Sequence, residues 1–204
     1  MIYRVMERAA RGQARLLVGG SLRLFFATLL ALLTVGRGAA AADPPFVVRV
    51  LPSGEDIAIS GPITQGLGTA FRAALAQAPK ARLVRLESGG GTLDVAIDLY
   101  AAIRTHKLDT AVQGNCQSAC TIAFMGGIRR FSAPHARIGF HRASGVEQKE
   151  FPLADYILRG LYVQSGMAEW FADRVMDTSH ETMWRPGMEE LRRGNVVTDI
   201  GIPN

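Results

Sequence analysis

The 204-residue chain carries 23 Lys and Arg against 18 Asp and Glu, a net charge of +5, with 48% hydrophobic residues. The excess is local: six arginines and one glutamate fall in residues 1–42, leaving 17 basic and 17 acidic residues beyond them. Charge therefore gives no ground for a nucleic-acid partner, and two cysteines are too few for a disulfide framework.

Residues 1–42 read as an export leader. Arg4, Arg8, Arg11, Arg15 and Arg23 precede an apolar run, Leu24 to Val35, and small residues then lead to Asp43. Basic region, apolar region and small-residue cleavage site follow the secretory order. The 12-residue run is short of the roughly 20 needed to span a bilayer. The expectation is thus a periplasmic or secreted bacterial protein, the alternative being an uncleaved leader that anchors it to the inner membrane. Residues 43–204 suit one domain with its own core.

Beyond the leader, residues 46–51 and 56–60 read as short strands. Residues 63–78 have Leu67, Phe71 and Leu75 at helical spacing and end at Pro79. Residues 82–86 alternate as a strand, which the glycines at 89–91 break. Thr92 opens a helix through residue 103, with Leu93, Ile97 and Tyr100 on one face and Asp94 and Asp98 on the other. A strand at 110–112 precedes a helix at 118–124. Two further strands follow at 129–131 and 136–140. Helices are predicted over 155–164, 167–176 and 188–193, and a last strand at 196–197. Alternating strands and helices predict an α/β fold with a mostly parallel sheet.

The chemistry concentrates around Cys116-Gln117-Ser118-Ala119-Cys120-Thr121. A serine between an apolar strand and an apolar helix is most often only an N-cap. Here it has company. Ala119 offers a backbone N–H directly after the serine, where many serine hydrolases place an oxyanion donor. Gly90 or Gly91 offers a second, since glycine lets a backbone approach a substrate closely. His141, at the end of a short apolar strand, is the candidate base; His106, His135 and His180 are the other histidines. Glu181 and Asp177 are the candidates for an acid that orients the imidazole. Cys116 and Cys120 are either small buried hydrophobes or, in an oxidising compartment, a disulfide across the turn. No spacing suggests a metal site or calls for a cofactor.

Four stretches together resemble the Clp protease proteolytic subunit and the wider crotonase-like superfamily. They are Ile59-Ser60-Gly61-Pro62-Ile63, Leu86-Glu87-Ser88-Gly89-Gly90-Gly91, Ser118-Ala119 and Gly139-Phe140-His141. The resemblance spans residues 57–200 and looks closest to an exported bacterial branch with a Cys-x-Ser-Ala-Cys-Thr turn. It implies a crotonase/ClpP-like spiral of ββα units with a C-terminal helical arm near residues 151–164. It also implies Ser118 as nucleophile, His141 as general base, Gly90 and Ala119 as oxyanion donors, and a homo-oligomer, trimeric or hexameric. The family acid is an aspartate; Glu181 is the best-matched position here. The function implied is a serine-peptidase-like hydrolase acting without ATP on short or unfolded peptides. The alternative is a catalytically weak scaffold that binds peptides or supports assembly.

Overall fold

The computed structural model describes residues 46–143 and 151–203; residues 1–42, read above as a leader, lie outside them. Strand β1 (Val47–Val50) pairs antiparallel with β2 (Asp56–Ser60). Helix α1 (Leu67–Gln77) follows, then β3 (Leu83–Ser88), α2 (Leu93–Thr105), β4 (Asp109–Gln117) and α3 (Ala119–Met125). Two three-residue strands come next, β5 (Arg130–Ser132) and β6 (Arg137–Gly139). Helices α4 (Phe151–Gln164), α5 (Glu169–Asp177) and α6 (Met188–Arg193) precede the two-residue β7 (Asp199–Ile200). The sheet runs β1-β2-β3-β4-β5-β7, with β6 also on β4, and every pairing except β1 with β2 is parallel. From β2 to β5 each strand is joined to the next by a helix, giving the mixed α/β, mostly parallel architecture expected.

The local reasons are conventional. In β2, Ile57 and Ile59 are buried and alternate with Asp56, Ala58 and Ser60. In α1, Leu67, Phe71, Ala74 and Leu75 form the inward stripe, as Ala96, Leu99 and Ile103 do in α2. All seven residues of α3 are buried, so this helix is apolar on every side and lies inside the fold.

Four boundaries depart from the pattern of apolar residues: α4 begins at Phe151, not residue 155, and the other three have local causes. Helix α1 begins at Leu67, not residue 63, because Ile63 is tied into a bridge with Gly91 and Gly66 turns the chain at φ 91°. Strand β4 continues through the polar stretch 113–117, because Asn115, Cys116 and Gln117 pair with β6. The last strand is Asp199–Ile200, not 196–197. Val196 and Val197 are buried, but the Val196 N–H caps α6 by donating to Leu191 O at 2.8 Å, and strand pairing with β5 starts only at Asp199.

The C-terminal end is fastened by Arg130, only 3% exposed, which donates to the carbonyls of Gly127, Asn195 and Val196. Burial pulls its pKa down to about 10. Among the described residues, no helix is long and apolar enough to cross a membrane.

Candidate active site

Parallel pairing brings three strand ends together. Ser88 at the end of β3 lies opposite Cys116, and Gln117 at the end of β4 lies opposite Gly139 at the end of β6. The Ser88 glycine loop, the Ser118 turn and the His141 strand end therefore emerge at one edge of the sheet, where parallel sheets commonly place their sites. A cavity of about 610 Å³ opens there. Its wall includes Gly91, Ser118, Ala119 and His141, together with apolar Leu93, Ile97, Ile122 and Leu158.

Ser118 has φ 54° and ψ −127°, which a non-glycine residue adopts only when its surroundings impose it. The impositions are visible. Its N–H donates to Gly139 O at 2.9 Å, and its carbonyl accepts from both the Thr121 N–H at 2.9 Å and Thr121 Oγ1 at 2.7 Å. A Cys116–Cys120 disulfide brackets it in sequence. Ser118 stands at the N-cap position of α3, but its hydroxyl makes no capping bond. Ala119 is the first residue of α3, so its N–H has no acceptor within its own helix.

Gly90 and Gly91, the two glycines considered as oxyanion donors, differ in what their N–H groups meet. The Gly90 N–H already donates to Ser88 Oγ at 3.1 Å, and Gly90 O accepts from Ile63 N at 2.8 Å. A Cβ on Gly90 would stand 2.8 Å from Ser118 Cβ, so its role here is close packing under the turn. Gly91 is the glycine on the cavity wall, and its N–H has no hydrogen-bond partner among the described residues.

His141 owes its position to its neighbours. Phe140 exchanges two 2.9 Å backbone hydrogen bonds with Trp184, and the Arg142 N–H donates to Thr178 O at 2.9 Å. Phe140 is buried against Tyr162, Phe171 and Trp184, with ring centroids 5.2–6.3 Å away. His141 Nδ1 lies 2.6 Å from Arg142 O. A carbonyl only accepts, so Nδ1 carries the proton and Nε2 is left as the proton acceptor. No hydrogen bond joins Ser118 and His141 among the described residues; such pairs commonly tighten only in a substrate complex.

Glu181 and Asp177 are not brought to this cavity. Both are exposed and neither lines it. Residues 179–182 close a turn in which the Glu181 N–H donates to Ser179 Oγ and the Thr182 N–H to Ser179 O. The Arg142 carbonyl stands at the imidazole nitrogen where an acid was expected.

Two residues escape a reading of motifs. Thr121 Oγ1 lies 2.7 Å from the Tyr162 hydroxyl. Burial pushes the Tyr162 phenol above its ordinary pKa, partly offset by that hydrogen bond. Tyr162 shares the buried face of α4 with Ala154 and Leu158, so in sequence it reads as core. The signal available was that a buried phenol needs a partner. Among the described residues, no group of three or more His, Cys, Asp or Glu side chains could hold a metal.

No family model matches this chain, and no curated protein matches it. Solved structures do. ClpP1 from Listeria monocytogenes aligns with a TM-score of 0.64 at 18% identity, covering 74% of this chain and 94% of that one. A mutant of ClpP1 from Listeria monocytogenes aligns with a TM-score of 0.62 at 21% identity, covering 74% and 93%. At such identity the likeness is one of architecture: this chain has a ClpP-like fold.

Proposed function

We propose that this cavity is the active site of a serine-peptidase-like hydrolase acting on short or unfolded peptides. The observation that carries the reading is His141. Its Nδ1 is engaged by a backbone carbonyl, which leaves Nε2 as a base in the cavity that Ser118 also lines. Ser118 Oγ attacks the scissile carbonyl while His141 Nε2 takes its proton. The developing oxyanion is held by the N–H groups of Ala119 and Gly91. His141 then returns the proton to the leaving amine, and water releases the acyl group by the same route. Glu181 is not needed for this sequence of steps, so the working unit is a dyad.

This reading takes the protein to act outside the cytoplasm, without an ATP-driven partner and as a homo-oligomer. The disulfide supports the compartment, since such bonds persist in oxidising surroundings. The assembly rests on the family resemblance.

The test is covalent labelling of the purified protein by a fluorophosphonate probe. Labelling is expected at Ser118, absent in Ser118→Ala, and slowed about 10²- to 10⁴-fold in His141→Ala. A folded wild-type protein that takes no label would overturn the hydrolase. It would favour the second reading, a peptide-binding or assembly scaffold, which needs no acid and fits a cavity that Glu181 does not line.

A further inference from the structure

Resting on that reading, we propose that one helix, α4, aligns both members of the dyad: Tyr162 positions Ser118 through Thr121, and Asp155 positions His141 through Arg142.

The direction of each bond follows from the groups involved. Thr121 has one hydroxyl proton, and the Ser118 carbonyl can only accept, so Thr121 Oγ1 donates to Ser118 O at 2.7 Å. The Thr121 oxygen must then accept from Tyr162, whose hydroxyl stands 2.7 Å away. Tyr162 is 2% exposed, and its raised pKa keeps the proton that it donates. The result is a buried chain, Tyr162 to Thr121 to the Ser118 carbonyl, acting on a residue whose φ of 54° and ψ of −127° need restraint.

On the other side, the Asp155 carboxylate pairs with Arg142 Nη2. The Arg142 N–H is held by Thr178 O, and the Arg142 carbonyl faces His141 Nδ1 at 2.6 Å. Backbone and side chain of Arg142 are thus both anchored, and the atom they orient sets the tautomer of the base.

Asp155 and Tyr162 are seven residues apart, two helical turns, or about 10 Å along the axis. That spacing puts both on the same side of α4, with Leu158 between them on the cavity wall. If Tyr162 were only core, phenylalanine would serve as well, since the edge-on packing against Phe140 needs the ring alone.

The experiment uses the full chain with Tyr162→Phe, Thr121→Val, Thr121→Ser and Asp155→Asn. Tyr156→Phe, on the exposed side of α4, is the control. Three quantities are read: amide hydrogen exchange at residues 118–121, ¹⁵N shifts of the His141 ring, and the rate of fluorophosphonate labelling. Tyr162→Phe, which loses one hydrogen bond of the chain, and Thr121→Val, which loses two, are expected to speed exchange at 118–121 and to slow labelling by about tenfold or more. They should leave the His141 ring signals in place. Asp155→Asn should do the reverse, moving the ring toward a mixture of tautomers while exchange at 118–121 stays as in wild type. Thr121→Ser keeps the oxygen and should exchange like wild type, as should Tyr156→Phe. Unchanged exchange in Tyr162→Phe, or unchanged ring signals in Asp155→Asn, overturns the corresponding arm. Thr121→Ser exchanging as fast as Thr121→Val would show a packing effect and overturn the relay. If the wild type takes no label, the hydrolase fails on its own, and exchange and ring signals still decide whether α4 positions these two residues.

Discussion

The Ser118 side of the cavity is held by covalent and buried polar links, whereas the His141 side is held by backbone pairing, ring packing and the ion pair of Arg142 with Asp155. Around Ser118 stand a disulfide between its flanking cysteines, three hydrogen bonds to its own peptide groups and a glycine pressed beneath it. Around His141 stand the Phe140–Trp184 bridge and a nest of aromatic rings. The reason lies in the backbone. A serine at φ 54° relaxes unless over-determined, while His141, which is not among the residues with positive φ, stays in place with far less. The two sides should therefore respond differently to damage.

The largest effect is expected at Gly90→Ala. The new Cβ would stand 2.8 Å from both Ser118 Cβ and Gln117 O, at a φ of 107° that alanine resists. Displacing Ser118 by even about 1 Å should cost about a hundredfold in its labelling. The strained backbone should add about 1–3 kcal/mol of destabilisation, read from thermal or denaturant unfolding. Labelling at the wild-type rate would show that the glycine does not set the turn, and the contrast between the two sides would collapse.

Next in size is the double change Cys116→Ser with Cys120→Ser. The disulfide closes a loop of sequence separation 4, and on the chain-entropy account so short a loop contributes about 2 kcal/mol. Denaturant unfolding should show that loss. Amide exchange at residues 118–121 should rise while the His141 ring signals hold still. Ring signals that move with the disulfide would mean the two sides are one mechanical unit.

How much of this was legible in sequence follows the same divide. Ser118 stood out because apolar runs on both sides mark a strand–helix junction, and His141 because an apolar strand ends on it. Hydrophobic pattern reports burial, so α1, α2 and the inner strands could be read from it. It does not report pairing: the polar end of β4 is strand only because β6 lies beside it, and buried Val196 and Val197 are not strand because β5 meets Val196 through the Arg130 side chain and not through a backbone ladder. Backbone chemistry leaves still less trace. Which of Gly90 and Gly91 has its N–H available depends on Ser88 Oγ, and the group facing His141 Nδ1 is a main-chain carbonyl that any residue at position 142 would carry. Seeking an acid by motif led to Glu181 because a carbonyl has no residue type.

That substitution of a carbonyl for a carboxylate makes the smallest predicted effect the most discriminating. An acid in a hydrolytic triad fixes the imidazole tautomer and stabilises the imidazolium that forms. The Arg142 carbonyl performs the first task as well as an acid would, and the second only through its dipole. If Glu181 stays exposed and apart from the cavity, Glu181→Gln is an ordinary surface substitution. It should leave the labelling rate at Ser118 and the unfolding midpoint nearly unchanged, within about twofold for the rate. A fall of about 10⁴, the size seen when a true triad acid loses its charge, would show that Glu181 reaches His141 during the reaction. The His141 side would then depend on the charge of an acid that approaches only during the reaction. Between those outcomes the rate of a single neutral variant separates a Ser-His dyad oriented by main chain from a triad that assembles only when substrate is bound.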